Sequence, residues 1–287
     1  MTTQVRPVGA PARAGGGAGS LAVRVASGLT LAAALVGLLL LGSWGLLAVI
    51  VVVGAIALWE FKALSAKVGY AAPLWLLYPL GACFALSGTL LKQVPIEVVL
   101  SLALVFGLPA FLFLPSGRAG VGRWAMGVAG ALYIGFPLNA YLVIYAGAPW
   151  PRNLEWVLLV IATAAVGDAA AYLVGRALGR HPFFREISPN KTLEGAIGGL
   201  LVAVPVMLLG GVFLLGISPP AAAGLGLLIG LAAMLGDLVE SQMKRLAGVK
   251  DSSRLIPGHG GVLDRLDSLL FPPIVVVLFT YLFGLHL

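Results

Sequence analysis

Nine stretches of this chain are almost pure hydrocarbon, and they leave it few folds to choose from. They are Val25–Leu41, Trp44–Trp59, Leu74–Leu91, Ile96–Leu114, Trp124–Ala146, Leu154–Leu178, Leu193–Leu215, Ala221–Val239 and Leu269–Leu285. A helix needs about 20 mostly apolar residues to cross a bilayer. Inside the bilayer each backbone N–H and C=O must be satisfied within the protein, which helices of this length achieve alone. Hydrophobic residues make up 60% of the chain and charged ones 10%, against roughly 25% charged in soluble domains. The expectation is an all-α, polytopic integral membrane protein with about nine transmembrane helices. Residues 1–20, rich in Gly, Ala and Pro with Arg6 and Arg13, read as a disordered tail, and residues 21–287 as a single membrane-embedded domain. Gly42-Ser43 reads as a tight hairpin between the first two spans. Because a second apolar run follows at once, the first reads as a retained helix and not a signal peptide. Cys83 is the single cysteine, which excludes an internal disulfide.

The basic residues set an orientation. With nine spans and a cytoplasmic N-terminus, the inner segments hold Arg6, Arg13 and Arg24; Lys62 and Lys67; Arg118 and Arg123; Arg176, Arg180, Arg185 and Lys191; and Lys244, Arg245, Lys250, Arg254 and Arg265. Only Lys92 and Arg152 fall outside. Cytoplasmic loops carry the excess of Lys and Arg, so this count places the N-terminus inside and the C-terminus outside. The two largest inner loops, Arg176–Lys191 and Met243–Ser268, flank spans seven and eight and can meet over one opening. The bases are spread over short loops and form no single patch, so the basic balance does not point to nucleic acid.

One polar stretch stands apart. From Asp237 to Ser268 the chain sets Asp237, Glu240, Asp251, Asp264 and Asp267 among Lys244, Arg245, Lys250, Arg254 and Arg265. Charge beside a bilayer core is expensive, so an ionisable cluster there reads first as functional. Asp237, Glu240, Ser241 and Lys244 fall at i, i+3, i+4 and i+7, one face of a helix. Asp264 and Asp267 are also three apart, just before the last span. Two helix ends that each present acids suit a divalent cation, which for Mg²⁺ takes one or two carboxylates and completes its shell with water and phosphate oxygens. Salt bridges account equally well for Asp251 with Lys250 or Arg254, and for Glu240 with Lys244. The turn Pro257-Gly258-His259-Gly260-Gly261 brings backbone N–H groups close to an anion.

Upstream, Lys191 and Thr192 open span seven, at the positive end of a helix dipole, a natural anion site; Glu194 there is either a site residue or a first-turn capping acid. Asp168 lies inside the apolar sixth span, where a carboxylate needs a partner. Glu60 ends span two and reads as a structural acid paired with Lys62 or Lys191. His181 and His286 carry no functional assignment.

The polar stretch resembles the signature of the phosphatidate cytidylyltransferases (CDP-diacylglycerol synthases). Ser241, Lys244-Arg245, Lys250-Asp251, His259-Gly260-Gly261, Asp264-Arg265 and Asp267 each stand where that signature has them. Ser188-Pro189-Asn190-Lys191-Thr192-Leu193-Glu194-Gly195 is similar to a second family segment, with Leu193 where an aromatic is commoner. Gly167-Asp168-Ala169-Ala170-Ala171-Tyr172 is similar to a third, although Ala169 and Ala170 remove its hydroxyl and glycine. Trp59-Glu60-Phe61 also resembles the family. The resemblance implies transfer of the cytidylyl group of CTP to phosphatidate in phospholipid biosynthesis, with release of pyrophosphate. It implies an active site within 167–268 that faces the cytoplasm from the cell membrane. Asp264, Asp237, Lys244 and Arg265 are the implied catalytic residues. Ser188, Lys191, Thr192, Ser241, Arg245, Lys250, Asp251, His259, Gly260 and Gly261 are the implied substrate contacts. Asp237, Asp264, Asp267, Glu240 and Asp168 are the implied ligands of Mg²⁺, optionally with a monovalent cation. CTP and bilayer phosphatidate are the implied partners, no nucleic acid among them, and a homodimer is allowed.

Two other readings compete. A CTP-dependent polyprenol kinase would pass on the terminal phosphate of CTP to a lipid alcohol and leave CDP. A cation-coupled transporter would spread acids through the membrane depth; here only Glu97 and Glu155 lie away from the cytoplasmic side or the spans that end there. The Asp-Gly-x-x-Ala-Arg motif of the CDP-alcohol phosphotransferases is absent.

Overall fold

The computed structural model describes residues 18–87, 91, 94–110 and 119–285, with side chains from residue 26 onward. The tail expected over residues 1–20 therefore lies outside the described residues, except for 18–20, which already belong to the first helix. Lys92, Arg118 and His286 also lie outside them.

Every apolar run contributes a helix. In chain order these are α1 (Ala18–Leu39), α2 (Ser43–Lys67), α3 (Leu74–Leu86), α4 (Ile96–Leu102, continued by a π-helical turn over Ala103–Gly107), α5 (Gly120–Gly147), α6 (Arg152–Leu178), α7 (Leu193–Phe213), α8 (Pro219–Leu246), the four-residue α9 (Leu263–Leu266) and α10 (Phe271–Phe283). Among the described residues, extended pairing is confined to two isolated bridges, Pro182 with Thr192 and Ile256 with Gly260. The protein is an all-α polytopic membrane protein. Six helical segments among the described residues are long and apolar enough to cross a bilayer: α2, α5, α6, α7, α8, and α9 with α10 as one unit. Ala26–Leu39, Leu74–Leu86 and Ile96–Gly107 are shorter apolar helices.

The helix ends follow local chemistry more than hydropathy. Pro219 and Pro220 open α8, where the missing N–H costs nothing. Thr192 caps α7, its hydroxyl accepting from the Gly195 N–H at 3.1 Å. Gly284 takes the left-handed conformation (φ 61°) that closes α10. Two helices outrun their apolar stretches. α2 continues eight residues past Trp59, which puts Glu60 inside the helix and not at its end, and α8 continues seven past Val239, carrying Glu240, Ser241 and Lys244.

Small residues set the packing. α6 and α7 form the most extensive pair, with Gly167, Ala171 and Gly175 against Gly195 and Gly199. In a bilayer, where lipid is as apolar as leucine, close backbone approach of this kind drives association. Bulky side chains such as Leu201, Phe213, Tyr281 and Leu282 point outward, while Phe84, Ile134, Trp156 and Met207 fill the interior.

The crossing that matters most for the site is between α8 and the chain just ahead of α10. A Cβ on Gly236 would collide with the backbone carbonyl oxygen of Asp267. Only hydrogen fits, and the contact sets Asp237 beside Asp267. Gly236→Ala must push the two segments apart, an overpacking cost of roughly 1–3 kcal/mol. Its melting temperature in detergent is expected to fall below wild type, and an unchanged value would contradict this backbone contact.

Candidate active site

A cavity of about 760 Å³ opens between α6, α7, α8 and α9. Its apolar lining comes from Ala164, Gly167, Ala171, Gly199, Leu200, Ala233 and Met234. Its polar lining comes from Asp168, Asp237, Asp264 and Asp267 with Arg176, Lys191 and Arg265, and Asn190, Thr192 and Ser268 among them. Of the residues singled out in the sequence, Asp168, Lys191, Thr192, Asp237, Asp264, Arg265 and Asp267 meet on this cavity. They come from four elements that hydropathy alone would not bring together.

Each inner acid has a distinct set of partners. Lys191 Nζ sits 2.6 Å from Asp237 Oδ2, and Ser241 Oγ donates to Asp237 Oδ1 at 3.3 Å. Beyond that ion pair, the Lys191 ammonium is buried with no protein hydrogen-bond acceptor among the described residues. Lys244 lies between two acids: it pairs with the fully buried Glu240 and donates to Asp264 Oδ1 at 2.7 Å. Asp264 Oδ2 takes three more donors, the Ser252 N–H at 2.9 Å, the Ser252 hydroxyl at 2.8 Å and the Gly261 N–H at 2.8 Å. Asp267 accepts the Ser268 N–H at 2.8 Å and lies within electrostatic reach of Asp237 and Asp168. Neither Asp168 nor Asp267 has a base within ion-pairing distance among the described residues. Tyr133 adds a buried hydroxyl near Glu240, Asp237 and Asp267, without a hydrogen-bond partner among the described residues.

The other residues singled out lie off the cavity wall, in supporting places. The Gly261 N–H, read from sequence as an anion donor, is taken by Asp264, and a Cβ on Gly261 would collide with Ser252 Oγ and the Glu60 carboxylate. Gly260 (φ 84°) makes the preceding turn. His259 Nδ1 lies 2.9 Å from Ser27 Oγ and docks the turn on α1. Arg245 Nε donates to the Ile187 carbonyl at 3.1 Å, joining the two polar loops. Ser188 accepts the Lys191 N–H at 3.1 Å through its carbonyl, forming the turn that delivers Lys191. Lys250 and Asp251 are exposed. Of the salt bridges weighed from sequence, Glu240 with Lys244 forms, whereas among the described residues Asp251 has no ion-pair partner.

Two assignments change. Glu60 pairs with neither Lys62 nor Lys191. It is fully buried and accepts from Ser252 Oγ, Ser253 Oγ and the N–H groups of Val262 and Leu263. His181, passed over in the sequence, places Nδ1 2.5 Å from Glu194 Oε1, and Glu194 also accepts the N–H groups of Arg180 and His181. Glu194 thus fastens the start of the polar loop to α7, while Thr192 does the capping. Arg176, which lines the cavity, was likewise not singled out; its only sequence signal is its place in the inner-loop charge count.

Among the described residues, no three His, Cys, Asp or Glu side chains converge tightly enough to hold a metal ion unaided. The donor set still fits a hard divalent cation. Four carboxylates face one cavity and two of them lack a counter-ion, while Mg²⁺ asks the protein for only one or two and takes phosphate oxygens and water for the rest.

Comparison with known proteins gives the family. The Cytidylyltransferase family profile matches residues 22–283. A phosphatidate cytidylyltransferase of Mycobacterium bovis is 35% identical over 205 residues, which is 71% of this chain and 66% of the relative. One from Synechocystis is 41% identical over 166 residues, 56% of this chain and 55% of the relative. One from Staphylococcus aureus is 44% identical over 121 residues, 42% of this chain and 46% of the relative. The chain thus spans less than two thirds of the length of each of these relatives. With a match that runs from α1 to the end of α10 and takes in all four elements around the cavity, the chain belongs to the cytidylyltransferase family.

Proposed function

We propose that the protein transfers the cytidylyl group of CTP to phosphatidate, giving CDP-diacylglycerol and pyrophosphate. The observation that carries this reading is a cavity whose lining combines small apolar residues with carboxylates, lysine and arginine. A lipid phosphate calls for both kinds of lining, and a nucleotide triphosphate for the charged one.

The chemistry suits these residues. A phosphatidate oxygen forms a bond to the α-phosphorus of CTP while the bond from that phosphorus to the β-phosphate bridging oxygen breaks, and pyrophosphate leaves with the electron pair. The attacking phosphate is already an anion, so no Ser–His or Cys–His pair is required. What the site must supply is positioning and charge neutralisation. Lys191 has donors to spare for a phosphate, at the N-terminus of α7. Arg265 and Arg176 add positive charge at the rim. Mg²⁺, held by Asp237 and Asp267 with Asp168 and Asp264 beside them, would neutralise charge on the triphosphate. Incubating the purified protein with CTP, phosphatidate and Mg²⁺ tests the reading. CDP-diacylglycerol with pyrophosphate supports it; CDP with a phosphorylated lipid alcohol, when the alcohol is offered, indicates the kinase.

The same proposal includes nine spans and a cavity that faces the cytoplasm. Ser218 and Arg254 are exposed and lie just outside opposite ends of α8, a helix of 28 residues, about 42 Å at 1.5 Å per residue. On a Cys83→Ser background, a cysteine replacing Arg254 is expected to react with an impermeant thiol reagent only in inside-out vesicles, and one replacing Ser218 only in right-side-out vesicles. Labelling of both from one side contradicts this topology.

Separate kinetic signatures are expected for acid and base. Asp237→Asn keeps its size but loses a charge at the reacting phosphates, and kcat should fall by about two orders of magnitude. Lys191→Ala, which removes a phosphate contact made alike in ground and transition states, should raise KM for CTP with a smaller fall in kcat. Steady-state kinetics in detergent micelles, with CTP and surface phosphatidate varied separately, distinguish the two. A near-normal kcat for Asp237→Asn would remove this acid from the chemistry.

A further inference from the structure

We propose that Glu60, in the middle of the chain's second helix, is a positioning residue for the reacting end of the site. The proposal rests on the cytidylyltransferase reading above and adds to it a residue that does not touch the cavity. Glu60 has no solvent exposure. Its Oε2 accepts the Leu263 N–H at 2.6 Å and lies 3.1 Å from the Ser252 hydroxyl, whose one proton it shares with the nearer Asp264 Oδ2. Its Oε1 accepts the Val262 N–H at 3.0 Å and the Ser253 hydroxyl at 2.6 Å.

These donors are the ones α9 needs satisfied. The first N–H groups of any helix lack partners within it, and a four-residue helix cannot nucleate alone. α9 forms because Glu60, some 200 residues earlier in the chain, accepts its leading amides. Asp264 is its second residue, Arg265 its third, and Asp267 follows one turn on. The Ser252 hydroxyl, with one proton, lies between Glu60 Oε2 and Asp264 Oδ2. Any displacement of the Glu60 carboxylate therefore passes to Asp264 through both the hydroxyl and the helix start. Gly261, which has no room for a Cβ between Ser252 and Glu60, keeps this clamp closed.

Glu60→Gln preserves the volume but turns one acceptor oxygen into an NH₂ that faces donors. For this variant, amide hydrogen exchange over residues 252–264 should quicken, kcat should fall by about tenfold or more and the Mg²⁺ requirement should rise, with KM for phosphatidate within about twofold of wild type. Glu60→Asp, which restores the charge, should recover part of the loss. A purely structural acid would lower the melting temperature and quicken exchange in 252–264 yet leave kcat per folded enzyme and the Mg²⁺ requirement as in wild type, and that result overturns the proposal. Should Glu60→Gln fail to fold, Ser253→Ala, which removes one donor only, is measured in the same way, and unchanged kcat and exchange there overturn it. If wild type makes no CDP-diacylglycerol, the functional reading falls, and exchange alone then judges Glu60: faster exchange upholds the clamp and unchanged exchange overturns it.

Discussion

The polar segments at the end of α8 and ahead of α10 converge on one buried carboxylate, Asp264. Asp264 is 5% exposed, next to a membrane-embedded core. Burying an ion costs several kcal/mol unless its lone pairs are met. Here one oxygen meets Lys244 and the other meets two amides and a hydroxyl. Hydrogen bonds to charged groups contribute about 1.5–3 kcal/mol each, enough together to offset the burial. In meeting that demand the chain ties α8, the 250s loop, the His-Gly-Gly turn and α9 to one point. Through Ser252 the same point reaches α2.

The apolar scaffold makes this convergence possible by letting backbones touch. Gly236 brings α8 onto the Asp267 carbonyl, and the small-residue seam between α6 and α7 brings Asp168 and Lys191 onto one cavity. Without a hydrophobic drive between helices in lipid, such contacts carry the association. The seam also supplies part of the cavity's apolar lining, so the same glycines and alanines serve both packing and the site.

The helices were legible from hydropathy because the bilayer imposes one length and one polarity on any segment that crosses it. Their ends were less so. α2 and α8 run on through Glu60 and through Glu240 to Lys244, since a charged residue with a buried partner does not stop a helix. The i, i+3, i+4, i+7 face did place Asp237, Glu240, Ser241 and Lys244 together, and the signature residues did identify the family. What no local pattern encodes is who bonds whom across the chain. Glu60 stands at the end of an apolar run with Lys62 two residues on, but its partners lie 192 to 203 residues away. They are loop amides and hydroxyls, not the nearby lysines. The glycines of His259-Gly260-Gly261 were read as a cradle for an anion; the anion they meet is the protein's own Asp264.

That last substitution divides the acids of the site by how many donors they already hold. Asp264 and Glu60 are saturated by the protein, and Glu240 is sealed against Lys244 with no exposure at all. Their charges are committed to holding the chain, and a change at any of them exposes unpaired donors or an unpaired lysine before it alters any substrate contact. Asp168, Asp237 and Asp267 instead face open space on the cavity wall, with one lysine among the three. Carboxylates crowded at low dielectric repel one another, and of these three only Asp237 has a base within ion-pairing distance among the described residues. The acids of the site therefore fall into two groups: Asp264, Glu60 and Glu240 spend their charge on the protein's own donors, and Asp168, Asp237 and Asp267 present theirs to the cavity.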